Sequence, residues 1–204
     1  MSFELCIYSI FVSTYFLSAL YVINGEIKEY GKEYVVFLIK KTYKNVLTNV
    51  MILPIFVLYS LRYFPQIYSI QFDIITCLRD SVLNYVSIDL FFWSFHRLLH
   101  VPFLYKIFHR KHHEIIKPIG FTALYAHPVD FLLTNFPPIL ILLIMLKAHY
   151  FTFYLWAFFG TFNTVYISHS NTCEIKFHLI HHQTFIYNYG TNLIMDKLLK
   201  TKKS

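Results

Sequence analysis

Residues 5–23 form an uncharged run of 19 residues. At about 1.5 Å per residue in a helix, such a run reaches across a hydrocarbon core of roughly 30 Å. No other feature restricts the chain so strongly, because a backbone in lipid must satisfy its own hydrogen bonds and only helices and closed barrels do so. The composition agrees. With 56% hydrophobic and 14% charged residues and a mean hydropathy of +0.48, the 204 residues are too apolar for an ordinary soluble domain. The expectation is an all-α integral membrane protein. Glu4 is the only charge before the first run, so the basic start of a cleaved signal peptide is missing and the segment is expected to be retained.

Residues 46–61 are a second, shorter apolar run that contains Pro54, and spanning helices tolerate such a proline. Between the two runs, residues 24–45 mix Glu26, Glu29 and Glu33 with Lys28, Lys32, Lys40, Lys41 and Lys44, and are expected to be an interfacial or solvated linker. Residues 131–168 are apolar except at Lys147-Ala148-His149, which predicts a helical hairpin. The reading is therefore about four transmembrane helices in two hairpins. It divides the chain into an N-terminal membrane hairpin with its connector, 1–79, and a second unit, 80–204, that includes the hairpin 131–168.

Against this apolar background stand three tight groups of histidine. They are His96 with His100, His109 with His112 and His113, and His178 with His181 and His182, eight of the chain's 11 histidines. The spacings are i, i+4 and i, i+3, i+4, which on a helix turn each group toward one face. A lone H-x-x-x-H pair is usually a surface or core feature; three such groups imply bound metal. One ion uses roughly four to six ligands, so eight imidazoles fit two ions better than one. The two passes of 131–168 return the chain to the side it left, so all three groups can meet. A shallow hairpin dipping into one leaflet satisfies the same constraint.

Of the 18 Lys and Arg residues, this topology puts 12 on the histidine side and 6 in the opposite connections. By the positive-inside rule the histidines should face the cytosol. The net charge of +7 comes with no soluble basic domain or recognition motif, so no nucleic-acid partner is expected. Cys6, Cys77 and Cys173 are far apart and lack C-x-x-C spacing, which argues against a disulfide framework or a thiolate zinc site. No H-E-x-x-H helix and no pair of Glu-x-x-His motifs is present, which excludes the zinc-protease helix and the soluble carboxylate-bridged bundle. Imidazole alone does not choose between Zn, Cu, Fe and Ni.

Three stretches in order, Asp89-Leu-Phe-Phe-Trp-Ser-Phe-His96-Arg-Leu-Leu-His100, Leu104-Tyr-Lys-Ile-Phe-His109-Arg-Lys-His112-His113-Glu114 and Ala123-Leu-Tyr-Ala-His127-Pro128-Val-Asp130, resemble the fatty acid hydroxylase and sterol desaturase superfamily. The block Phe177-His178-Leu-Ile-His181-His182, followed by Asn188-Tyr-Gly190 and Asp196-Lys-Leu198, completes the pattern over about residues 85–201.

That resemblance implies a membrane-bound oxidoreductase that uses O2, two iron ions (Fe2+/Fe3+) and electrons from a cytochrome b5-type donor to hydroxylate or desaturate a lipid. It carries the eight grouped histidines over as iron ligands, with His169 as a ninth. It also points to the endoplasmic reticulum and to lipid biosynthesis, with which the lysine-rich tail 200–204 agrees. His127, before Pro128, is a ligand, a supporting residue or a helix cap. Ligating histidines commonly pass their second N–H to a carboxylate or carbonyl. Asp89, two helical turns before His96, is the first candidate for that role, and Glu114, Asp130 and Asp196 follow. His149, at the hairpin turn, is expected to be interfacial. Here Asp130 stands where the family more often has Glu, and only eight residues separate His169 from His178, where several sterol-oxidising members carry a longer insert. Sterol, sphingoid base and fatty acyl chain all remain open as substrates.

Two other readings compete: a histidine-rich membrane protein that binds or transports metal, and an inactive relative of the oxygenase. Transport favours ionisable ligands along the spans. Residues 5–23 and 131–146 contain none apart from Tyr and Cys, and the histidines collect beside the spans, so the enzyme reading is preferred.

Overall fold

In a computed structural model, which describes residues 2–63 and 71–203, helices carry the whole described architecture and no strand is present among the described residues. Part of the expected 1–79 unit, residues 64–70, lies outside the described ones.

Helix α1, Phe3–Tyr30, starts where the Ser2 hydroxyl accepts the Leu5 N–H. It ends at Gly31, whose φ of 86° suits a residue without Cβ, and the chain reverses there into α2, Lys32–Leu47. A π-helical turn, Thr48–Ile52, joins α2 to α3, Leu53–Ser60. Pro54 falls in the first turn of α3, where its missing N–H leaves little unsatisfied. Helix α4, Ile74–Leu99, is capped by the Asp73 carboxylate, which accepts the Thr76 N–H at 2.8 Å. Short α5, Pro102–Leu104, runs into a π turn, Tyr105–His109, and then two 3-10 turns, His112–Glu114 and Gly120–Thr122. Helices α6, Pro128–Asn135, and α7, Pro137–Met145, form one column broken at Phe136 by the following proline. After the turn at 146–149, α8, Tyr150–Phe162, continues as a π turn, Asn163–Ser168. Helix α9, Phe177–Thr184, ends at a left-handed Phe185, and α10, Ile194–Leu198, closes the chain.

Among the described residues, three helical columns are long and apolar enough to cross a membrane: Phe3–Tyr30, Lys32–Tyr63 and Pro128–Met145. Length and composition thus support three of the expected four spans. Two further columns run beside them, α4 against α7 and α8 against α1. At 26 residues α4 is about 39 Å long, yet Arg79, Asp80 and Asp89 hide it from any reading by hydropathy. It starts at the 146–149 turn, where the Phe72 ring lies 5.3 Å from that of His149, and it ends at His100. Phe131, Val165, Val46 and Tyr15 pack in one core cluster, and Phe3, Leu61, Leu143 and Phe153 in a second.

The connector 24–45 departs from expectation. It is helix on both sides of Gly31, and it lies at the histidine end of the molecule rather than opposite it. Glu26, only 1% exposed, accepts the Gly120 N–H at 2.6 Å, and the Tyr34 hydroxyl donates to Lys117 O at 3.0 Å. Apart from Glu26, its Glu and Lys residues space to the exposed faces of helices whose apolar faces are buried, with Val35 and Leu38 inside. Its five lysines therefore join the histidine side, while Arg62 and Arg79, which the sequence reading put on that side, lie at the other end with Lys147, so the asymmetry is 15 against 3 rather than 12 against 6.

Candidate metal centre

Nine histidines meet in one buried cluster, and they form two sets. In each, one ring nitrogen per residue lies within 4.8 Å of all the others. The first set is His96, His100, His109, His113 and His181; the second is His112, His169, His178 and His182. The sets touch, with the His113 and His182 ring centroids 4.7 Å apart.

Of the sequence groups, His96 with His100 stays whole in the first set, whereas the other two do not each serve one side, as expected, but are divided between the sets. Helix geometry explains this for α9. Successive residues turn by about 100°, so positions i+3 and i+4 fall on either side of i and diverge by that angle. His181 therefore reaches the first set, while His182 reaches the second with His178. Around 109–113 the chain leaves the α-helix, passing from a π turn to a 3-10 turn, and His112 separates from His109 and His113.

Five of the nine rings, those of His96, His109, His112, His169 and His181, are held from behind. His96 Nδ1 donates to Tyr189 O at 2.7 Å, His181 Nδ1 to Tyr187 O at 2.6 Å, His169 Nδ1 to Thr164 O at 2.7 Å and His112 Nδ1 to Tyr125 O at 3.2 Å. His109 Nδ1 donates to the buried Asp130 carboxylate at 2.8 Å. These acceptors keep the proton on Nδ1 and leave the Nε2 lone pairs facing one another. His113 Nε2 is 3.0 Å from His109 Nε2 and 3.2 Å from His181 Nε2, which is 3.0 Å from His100 Nε2. In the second set His169 Nε2 is 3.4 Å from His112 Nε2.

Lone pairs so close repel unless a cation lies among them. Nitrogens held about 2.1 Å from one ion lie roughly 3.0 Å apart in octahedral and 3.4 Å in tetrahedral geometry, which is the observed range. The Nε2 atoms of His96, His178 and His182 are buried without a hydrogen-bond partner, as ligand atoms would be in the absence of the ion they serve. The residues fit a metal site. Burial, reinforced by neighbouring imidazoles, pushes His169 down to about 3 and His181 to about 3, and burial takes His112 to about 4. His100, His113, His178 and His182 are depressed for the same reasons. All seven are thus neutral near pH 7, the form that binds metal.

The other candidates separate clearly. Asp89, fully buried, touches no histidine; it accepts the N–H groups of Thr191, Asn192 and Met195 at 2.7–2.9 Å. Sharing a helical face with His96 gave it the right direction, but the returning 189–195 segment lies between. Asp196 likewise accepts the Tyr189 and Gly190 N–H groups at 2.9 and 2.8 Å. A Cβ at Gly190 would sit 2.5 Å from Asp89 Oδ1, so glycine is required there. Glu114 accepts the Tyr125 hydroxyl. His127 belongs to neither set; its Nδ1 accepts the Val129 N–H and caps α6. His149 caps α8 in the same way at the far turn. Sequence reasoning missed the four backbone carbonyls behind His96, His112, His169 and His181, which no side-chain pattern signals.

A cavity of about 550 Å³ lies beside the cluster, in the range of sites for small molecules. Its walls run from Phe11, Leu58 and Phe153 among the membrane helices up to His96, His112 and His169.

The sequence model of the fatty acid hydroxylase family matches residues 81–201, which include all nine histidines. The chain belongs to the fatty acid hydroxylase family. A fatty acid hydroxylase of Mycosarcoma maydis is 37% identical over 57% of this chain and 31% of its own length. Fatty acid hydroxylase domain-containing protein 2 of Homo sapiens is 36% identical over 59% of this chain and 37% of its own. A very-long-chain aldehyde decarbonylase of Oryza sativa subsp. indica is 33% identical over 63% and 54%. The chain thus spans about a third to a half of the length of these fatty acid hydroxylase relatives. No solved structure matches it.

Proposed function

We propose that the chain is a membrane-bound di-iron oxygenase that hydroxylates or desaturates a lipid, with electrons from a cytochrome b5-type donor. The observation that carries this reading is the cavity: an apolar channel from the membrane helices that ends on histidines of both sets. Metal storage or transport gives no reason for such a channel.

Two irons, when bound, supply reductive activation of O2 and removal of hydrogen from an unactivated C–H bond. For hydroxylation the balance is C–H + O2 + 2 e⁻ + 2 H⁺ → C–OH + H2O. The chain's own residues bind and orient. His96, His100, His109, His113 and His181 hold one ion; His112, His169, His178 and His182 hold the other. Tyr189 O, Tyr187 O, Thr164 O, Tyr125 O and Asp130 keep their partner imidazoles in the ligating tautomer. Asp89 and Asp196 act one step further back, through the 189–195 segment, and His127 supports through its cap. Phe11, Ile139, Phe153 and Ala157 in the cavity wall take up the apolar chain and exclude water from the reacting carbon.

Residues 80–204 form the catalytic unit and 1–79 its membrane support. The basic histidine end lies on the cytosolic face of the endoplasmic reticulum membrane, where Arg97, Arg110 and Lys111 offer an acidic electron donor a docking surface. The substrate is a lipid of the classes the family resemblance implies, a sterol, sphingoid base or fatty acyl chain, and the names of relatives agree for fatty acids and long-chain aldehydes.

The test is iron content together with lipid profiling under ¹⁸O2 in cells with and without the protein. About two irons per chain and a labelled or desaturated lipid are expected; His112→Ala should lose the iron of the second set and, with it, the lipid product. Oxidation that continues in that variant refutes the ligand assignment.

A further inference from the structure

We propose that Asn45 and Asn49, which lie outside the family-matched segment, are positioning residues for the second histidine set and act on His112 through one peptide plane. The inference rests on reading the histidines as metal ligands.

The last turn of α2 and the π turn after it set the two amides one turn apart. π turns often mark functional sites because they re-aim a side chain within a helix. Asn49 is fully buried, and its Nδ2 donates to Leu124 O at 2.8 Å and Ala126 O at 3.2 Å. Its own Oδ1 has no partner, so the side chain is there for its donors. Asn45 Oδ1 accepts the Ala126 N–H at 3.1 Å.

That N–H and the Tyr125 carbonyl belong to the same trans peptide, which is planar and points the two groups in opposite directions. Holding one therefore aims the other. The Tyr125 carbonyl accepts from His112 Nδ1, and His112 Nε2 faces His169 Nε2. Rotating the 125–126 peptide would break the Asn45 bond and swing the acceptor off His112, freeing both ring and tautomer. Asn49 prevents that rotation by tying the carbonyls on either side. Other side chains of the N-terminal helices hold the same loop at a distance from Tyr125: Tyr34 at Lys117 O, Tyr15 at Phe121 O and Glu26 at the Gly120 N–H.

Metal titration of the full-length protein in detergent tests this, with Co²⁺ as the probe because its absorption bands report each coordination sphere separately. Wild type should show two classes of tightly held Co²⁺. Asn45→Leu should weaken one class by about 10–100-fold, the range for residues supporting a ligand, and leave the other unchanged. Asn45→Asp keeps the acceptor and should keep both classes, and Tyr34→Phe should also keep both. If Asn45→Leu does not accumulate, Asn49→Asp, which turns the donors into acceptors facing two carbonyls, should give the same selective loss. Wild-type affinity for both classes in Asn45→Leu or Asn49→Asp overturns the proposal. So does equal weakening of both classes, or the same loss in Tyr34→Phe, since either is general loosening. A wild-type protein that holds two metals yet oxidises no lipid refutes the proposed function and leaves this inference standing.

Discussion

Replacing Asp130 should weaken one metal and spare the other, by an amount the structure sets. Its carboxylate is buried and receives the His109 N–H at 2.8 Å, and His109 belongs to the first set only. A hydrogen bond to a charged acceptor contributes about 1.5–3 kcal/mol, and one between neutral groups about 0.5–1.5 kcal/mol. Asp130→Asn keeps an acceptor but removes its charge, a loss of about 1–1.5 kcal/mol. At about 1.4 kcal/mol per tenfold, that is roughly a tenfold weaker site. Asp130→Leu removes the bond and strands a buried N–H, a loss of about 2–3 kcal/mol, or roughly 30–100-fold. Competition against a chelator of known affinity, monitored with Co²⁺, reads the two classes separately. The expected order is wild type, Asn, Leu in one class, with the other constant. If Asp130→Leu binds both metals as tightly as wild type, Asp130 does not orient His109 toward a metal and the assignment of the first set loses its support.

Two further predictions separate cap from ligand and neutral from charged imidazole. His127→Ala should leave the metal content unchanged and lower stability by about 1 kcal/mol, as loss of an N-cap does; a fall of one metal per chain would instead make His127 a ligand. For protein stripped of metal by a chelator, stability should be flat above pH 6.5 and fall as pH drops toward 4. The folded state holds His112 neutral down to about 4, whereas the unfolded chain takes up its proton near the ordinary value of about 6.5, so acid favours unfolding. Each such histidine steepens the loss by up to about 1.4 kcal/mol per pH unit. Thermal midpoints measured from pH 7.5 to 4.5 check the sign, and a midpoint that rises on acidification contradicts buried neutral imidazoles.

Much of this was legible in the residues, and the exceptions share a cause. Histidine spacing identified the cluster because a side chain that binds metal must be a particular residue type. It could not reveal how the groups divide, since that depends on a 100° divergence between His181 and His182 and on the non-α turns at 105–114. The apolar runs at 5–23, 46–61 and 131–146 were visible as spans, with the hairpin turn at 147–149. Helix α4 was not, because Asp80 and Asp89 lower its hydropathy although both are buried inside the bundle. The 24–45 segment misled for the converse reason. Its charges look like a linker, but they decorate helices whose apolar faces pack on the 115–126 loop, which no local pattern can announce. Asn45 and Asn49 gave no signal at all, since their partners are backbone atoms about 80 residues away.

The burial of three aspartates near an all-histidine cluster has an electrostatic reading. Neutral imidazoles contribute no charge, so cations held by them would leave a buried excess of positive charge, which is costly in a medium of low polarity. Asp89, Asp130 and Asp196, each at most 2% exposed, supply negative charge one layer out. Asp130 does so directly behind His109. Asp196 acts through the 189–190 peptide, whose Gly190 N–H it accepts and whose Tyr189 carbonyl accepts from His96. Asp89 fixes the segment that follows. Placing the carboxylates outside the inner layer keeps every inward-facing atom an imidazole nitrogen. It also explains why, of the four acids that the sequence suggests as histidine partners, Asp89 and Asp196 accept backbone N–H groups instead.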